Sequence, residues 1–208
     1  MAETRKSILD QYDRIVRVFR EIPLDGSISV LTGGNGTGKS LIRKQLTFRV
    51  KKKEKGKTVA HASMEQRTGL HSHMGGLGCM FRDTDWTPTS VNTLEFLDKA
   101  MGYVEEYGGY LVLDEIEMGC SEETLMGIVD WLNGCLRERI KGAMGCMVVT
   151  HSRVVVERLD YDHWFNLDGF KTATGWRGRG LKPVDLEKLK KDSLDLFRYV
   201  TEQTKKRK

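Results

Sequence analysis

Apolar residues recur along this chain with two different periods. Ile8, Tyr12, Ile15, Val16 and Phe19 fall at helical spacing and predict a helix over residues 7–19. "FREIPLDGSISVLTG" then reads as two short strands about a turn at Asp25-Gly26. Ile42, Leu46 and Val50 repeat every four residues, as a buried helix stripe does; Gly56 ends that helix and "TVAHASM" follows as a strand. Residues 67–89, rich in Gly, His, Thr and Asp, carry no period and read as irregular. A helix begins at Ser90 with Val91, Leu94, Leu97 and Met101 on one face, and "YLVLDE" is an apolar strand. Ser121 caps a further helix, with Glu122 and Glu123 in its first turn and Leu125, Ile128, Val129 and Leu132 as its stripe. "GCMVVTHS" and "HWFNLDGF" read as two more strands, the second with a turn at Asp168-Gly169. Pro183 opens a last helix over 183–203, carrying Leu186, Leu189, Phe197 and Val200.

Strands thus alternate with helices, and the central strands are apolar throughout. That pattern predicts an α/β fold whose mainly parallel sheet is covered by helices on both faces. The 208 residues fit one domain, 1–208, with the first and last helices as additions. Composition, 39% apolar and 30% charged, is that of a soluble globular chain. No stretch approaches the roughly 18 apolar residues of a membrane span. "MAETRKSILDQYDR" lacks the apolar core of a signal peptide, so the expectation is a cytoplasmic protein. Cys79, Cys120, Cys135 and Cys146 are scattered, which suits reduced thiols. His61, His71, His73 and Cys79 lie close in sequence but match no zinc spacing. The net charge of +5 is uneven: residues 49–57 and 205–208 are basic clusters, either solvated or facing nucleic-acid phosphates.

Three stretches carry chemistry. "GGNGTGKS" fits G-x-x-x-x-G-K-[ST], between a strand and a helix, as the phosphate-loop motif requires. Its glycines let successive N–H groups turn inward on phosphate oxygens, and the helix start adds its positive dipole end. The nucleotide-binding set is Gly33, Gly34, Asn35, Gly36, Thr37, Gly38, Lys39, Ser40 and Leu41. Lys39 reaches the β- and γ-phosphates and Ser40 ligates Mg2+. "YLVLDEIE" delivers Asp114 to the sheet's C-terminal edge beside that loop, where it holds Mg2+. Glu115 is then placed to take a proton from an attacking water. "MVVTHS" ends a third apolar strand in His151, whose imidazole can sense a γ-phosphate.

Together "GGNGTGKS", "YLVLDEIEMG" and "VVTHS" resemble the ATP-binding cassette (ABC) class of ATPases, and within it small stand-alone ATP-binding proteins of bacteria and their phages. The resemblance spans about Ile28 to Asp168. It implies a P-loop NTPase fold, Walker A over Gly33–Ser40, Walker B at Asp114 with Glu115, and His151 as the switch histidine. It also implies that Gln66, in "SMEQRT", is the Q-loop glutamine near Mg2+ and water. Two departures stand out. Where the family has its LSGGQ helix start, "TPTSVNTLEF" places Ser90 24 residues before Asp114 without either glycine. Only 23 residues separate Gln66 from Ser90, so the helical subdomain that docks membrane partners in transporters is reduced. "EIEMGCSEET" likewise looks like the loop of recombination-type ATPases.

The resemblance implies Mg2+-dependent ATP hydrolysis by a homodimer closed around ATP, with the Ser90 helix start completing the partner's site and a nucleic acid or protein as the driven partner. Two other readings stay open. One is a nucleotide-gated binding module that scarcely hydrolyses, which suits the missing glycines and the basic clusters. The other is a small-molecule kinase, with Arg177 and Arg179 of "GWRGRG" contacting the donor phosphates beside a predicted hairpin.

Overall fold

The computed structural model describes residues 2–63, 89–180 and 185–205. Five short apolar runs form strands: β1 (Ile28–Thr32), β2 (Val59–Ser63), β3 (Tyr110–Asp114), β4 (Gly145–Thr150) and β5 (His163–Asn166). β1 and β4 are buried at every position, which is what strands covered on both faces require. All pairings are parallel and the order is β2-β3-β4-β1-β5. Thr32 pairs with Thr150 and Asn166, and Asp114 pairs with Ser63 and Val149. The C-terminal strand ends therefore meet along one edge.

Seven helices connect these strands among the described residues: α1 (Ala2–Glu21), α2 (Lys39–Lys53), α3 (Thr89–Tyr107), α4 (Glu122–Arg139), α5 (Arg153–Arg158), α6 (Ala173–Arg177) and α7 (Leu186–Lys205). Side chains alternate along each strand, so the sheet feeds two cores. Val30, Leu111, Leu113 and Val148 face α3, α4, α5 and α6, where Leu97, Met101, Leu132, Val155 and Trp176 pack. Leu31, Val112, Met147 and Val149 face α1, α2 and α7, where Ile15, Val18, Ile42, Leu46 and Leu196 pack. This is the expected α/β architecture, five parallel strands with helices on both faces, consistent with a P-loop NTPase-like fold; the stretch expected to hold the reduced helical subdomain lies largely outside the described residues. No described helix is long and apolar enough to cross a membrane.

Two local expectations are corrected. The stretch expected to form two strands about Asp25-Gly26 contains only β1; Phe19–Glu21 continue α1. Arg49 donates to the carbonyls of Phe19 (2.9 Å) and Ile22 (2.5 Å), and Lys53 to that of Leu24 (2.6 Å), so this segment's acceptors are taken by side chains of α2. Cations at helix-terminal carbonyls are favourable, so these members of the basic run 49–57 act structurally. The turn itself exists: Gly26 has φ 91°, and Asp25 accepts from the N–H and hydroxyl of Ser27. The second correction is the hairpin expected at Asp168-Gly169. Asn166 accepts from the N–H groups of Asp168 and Phe170, and the chain then enters α6, capped by Thr172. Trp176, fully buried, anchors α6 in the core with Val155 and Leu132. The terminal helices are longer or shifted, Ala2–Glu21 against 7–19 and Leu186–Lys205 against 183–203.

Orientation of α2 can be checked by paired substitutions. Leu46 is fully buried and Phe48 is 68% exposed, although only two residues apart. Leu46→Ala is expected to cost about 2–5 kcal/mol in urea unfolding. Phe48→Ala is expected to stay within about 0.5 kcal/mol of the parent.

Candidate active site

β1 runs into the loop that begins at Gly33, and α2 starts at Lys39 with Gly38 as its N-cap. Gly36 (φ 74°) and Gly38 (φ 103°) adopt left-handed conformations that side chains resist. Space adds a second requirement: a Cβ on Gly36 would lie 2.0 Å from Ser193 Oγ, and one on Gly38 would lie 2.4 Å from Ile15 Cδ1. The loop is therefore pressed between α7 and α1. Gln11 of α1 donates to the Thr37 carbonyl (2.6 Å), and Thr37 Oγ1 donates to the Gly34 carbonyl (2.8 Å). Asp168 accepts from the Gly34 N–H (2.6 Å) and from Trp176 Nε1 (3.2 Å), tying the loop to α6.

Lys39 folds back over its own loop. Its ammonium donates to the carbonyls of Gly33 (2.9 Å) and Gly34 (3.1 Å) and lies 2.8 Å from His151 Nε2. An ammonium only donates, so His151 Nε2 is the acceptor and the ring proton sits on Nδ1. Burial and the Lys39 charge both hold the imidazole below its ordinary pKa, keeping it neutral. Burial pulls the Lys39 ammonium below its usual value, against the opposing pull of Glu115, Asp168, Asp114 and Glu117. Glu115 Oε1 stands 3.3 Å from His151 Nε2, so cation, imidazole and carboxylate meet at one point.

The acidic strand end is built from strain and pairing. Glu115 has φ 55°, the one described non-glycine residue with positive φ, and its N–H bonds to Val149 O (2.9 Å). Such a conformation costs about 1–2 kcal/mol, and strain of this kind gathers at functional sites. Asp114 pairs with Arg43 (2.7 Å), whose guanidinium also reaches His61 Nε2 (2.9 Å). Burial raises the Asp114 carboxyl, but His61 and Arg43 outweigh it and hold the group below the usual carboxylate range. Glu117 Oε1 accepts from Thr150 Oγ1 (2.8 Å) and the His151 N–H (2.6 Å), fixing the end of β4. Its Oε2 is buried with no partner among the described residues.

These contacts border a cleft of about 380 Å³, within the range of small-ligand sites. Asn35 to Leu41, Arg43, Lys44, Ser63, Asp114 and Glu115 line it, together with Ser193, Leu196 and Phe197 of α7. Ser40 and Asp114, a hydroxyl and a carboxylate in one cleft, are hard oxygen donors of the kind Mg2+ takes. The sequence-predicted residues Lys39, Ser40, Asp114, Glu115 and His151 thus come together. Gln66 lies outside the described residues, as do His71, His73 and Cys79. Ser90 is the second residue of α3. Arg177 pairs with Glu157 (3.6 Å) and Arg179 stacks on Trp176 (3.6 Å), and neither lines the cleft.

Sequence reasoning missed Arg43, Glu117 and Asp168, and weighed His61 only as a metal ligand. Arg43 stands four residues after Lys39 on the same helix face, and His61 interrupts the apolar run of β2; both were readable signals. Glu117 and Asp168 act through the packing of distant segments and had none.

Two outcomes follow for the histidine. Followed by NMR, His151 should titrate below about 6.5, and its midpoint should rise in Lys39→Met, which removes the facing cation. Because the folded state resists the proton, His151 lowers folding stability as pH falls from about 6.5 toward the depressed midpoint, and His151→Asn should lack that part of the slope. Glu117→Ala strands two donors and should cost about 1–3 kcal/mol in thermal unfolding; Glu117→Gln, which keeps one acceptor oxygen, should recover part of it.

No protein-family model and no curated protein matches the sequence. Among solved structures, similar chains include one described as the structure of C. elegans PCH-2. It is 13% identical with a TM-score of 0.39, and the match covers 79% of this chain and 41% of that one.

Proposed function

We propose that this chain is an ATPase of the ABC type, binding ATP on the loop Gly33–Leu41 and hydrolysing its γ-phosphate. The observation that carries this reading is the convergence of Lys39, His151 and Glu115 within 3.3 Å, at the mouth of a cleft that Ser40 and Asp114 also line. Lys39 would exchange the carbonyls of Gly33 and Gly34 for β- and γ-phosphate oxygens, which are stronger acceptors. Ser40 and Asp114 would hold Mg2+, with Gln66 nearby. Bound there, Mg2+ supplies positive charge against the phosphate oxygens. Glu115 orients the attacking water and accepts its proton. His151 Nε2, released when Lys39 turns to phosphate, reports on the γ-phosphate through a hydrogen bond.

In this reading two copies close on ATP, each adding its Ser90 helix start to the other's nucleotide, and the cycle drives a nucleic-acid or protein partner. One observation favours a second reading, a nucleotide-gated module with little turnover: Asp114 is held by Arg43, so any cation at that carboxylate meets a guanidinium already in place. The kinase reading loses its motive, because Arg177 and Arg179 are engaged away from the cleft.

Lys39→Ala should weaken ATP binding about ten- to hundredfold by calorimetry, the worth of a charge-assisted contact. Glu115→Gln should keep ATP affinity while steady-state phosphate release falls about 10²–10⁴-fold. Parent turnover no faster than that of Lys39→Ala would leave only the gated module. With ATP and magnesium, Glu115→Gln should elute as a dimer in size-exclusion chromatography; a monomer under those conditions would remove the sandwich.

A further inference from the structure

One wall of the cleft has no task in phosphate chemistry. It is the face of α7 formed by Ser193, Leu196 and Phe197, spaced i, i+3 and i+4 so that all three look the same way. Phe197 is the one aromatic ring among the described lining residues, and it is 55% exposed. An apolar ring held in water at the rim of a polar cleft leaves a face uncovered that a flat ligand can cover.

We propose that this face of α7 is the nucleoside half of the site, with the base of the bound nucleotide stacked on the Phe197 ring. The proposal rests on the nucleotide reading above and adds what lies beyond the phosphates. Three observations register the platform to the loop. Ser193 sits against Gly36 so tightly that a Cβ there would lie 2.0 Å from its hydroxyl. Leu196 is buried in the core that also holds Ile15 and Ile42. Tyr199 meets Tyr12 of α1 edge to face at 5.2 Å, pinning the next turn of α7. From Ser193 to Phe197 is one helical turn, about 6 Å along the axis, so the ring stands one turn from the loop's left-handed glycine.

No other described lining side chain offers a ring to stack on, and outside α7 Leu41 is the apolar one. Arg43, Lys44, Asp114 and Glu115 are charged, and Ser63 is small and buried. Stacking on a single ring discriminates weakly among bases, since each has a π face. The site should therefore favour nucleotides over bare polyphosphate more strongly than it separates ATP from GTP.

The test compares ATP with inorganic tripolyphosphate, each with magnesium, by calorimetry on the full chain and on Phe197→Ala and Phe197→Tyr. The parent should bind ATP more tightly than tripolyphosphate. Phe197→Ala should lose about tenfold or more on ATP with tripolyphosphate affinity unchanged, and Phe197→Tyr should keep ATP affinity. Equal ATP affinity in parent and Phe197→Ala overturns the stacking platform while leaving phosphate-loop binding intact. Equal weakening of both ligands also overturns it, because α7 would then act only by bracing the loop. Failure of the parent to bind either ligand would overturn the nucleotide reading itself.

Discussion

The insertion of β4 between β1 and β3 decides what can meet at the edge of this sheet. β1 ends in the glycine loop, β3 in the acids, and the strand between them in His151. Adjacent strands lie about 5 Å apart, so the loop and the acids are about 10 Å apart at the backbone. An imidazole reaching from the middle strand spans that gap, which is why Lys39 and Glu115 both lie within 3.3 Å of one nitrogen. The sequence places Asp114 at the strand edge beside the loop, and the two do line one cleft. In the fold a histidine intervenes, and a group between a cation and an anion responds when either finds a new partner.

Electrostatics then explain why the charges of the site are largely cross-paired, Glu117 Oε2 excepted. Half-buried charges that lose water must find protein partners, since an isolated one is far too costly. Lys39 is satisfied by two carbonyls and an imidazole, Asp114 by a guanidinium, and Glu117 by a hydroxyl and an N–H. Each of these partners offers less than phosphate or a divalent cation would offer the same group. In the proposed ATPase, a polyphosphate with its cation would offer Lys39 and Asp114 stronger partners than these. The Arg43–Asp114 pair is the contact that resists most, because its guanidinium must keep an acceptor when the carboxylate turns elsewhere. In the proposed complex the anion itself would supply one.

How much of this was legible in the sequence depends on where the information sits. Leu46 and Val50, Leu125 and Leu132, and the apolar runs of β1, β3 and β4 announced their elements because periodic burial leaves a local trace. The phosphate loop was legible because glycine is demanded by backbone geometry at Gly36 and Gly38, and geometry of that kind shows as residue type. The misreadings came from segments whose hydrogen bonds run to distant side chains. Ile22 and Leu24 look like strand residues, but Arg49 and Lys53 take the neighbouring carbonyls. Asp168 and Gly169 look like a hairpin turn, but Asn166 holds the N–H groups of Asp168 and Phe170, and the next segment is a Thr172-capped helix with Trp176 buried. Basic residues 49–57 looked like one cluster, although half of them, Arg49, Lys53 and Lys57, donate to backbone carbonyls.

The terminal helices, which carry no motif, turn out to shape the loop that does. Gln11, Ile15 and Ser193 press on Thr37, Gly38 and Gly36 from α1 and α7, and the two helices pack on one another through Tyr12 and Tyr199. A glycine loop alone has many conformations to lose when it folds around a phosphate. Here that loss is met in folding, through contacts that no nucleotide has to create, and preorganisation of this kind leaves more of the phosphate contacts available as affinity. Ser193 Oγ occupies the place that a Cβ on Gly36 would take, so glycine suits the packing of α7 against the loop.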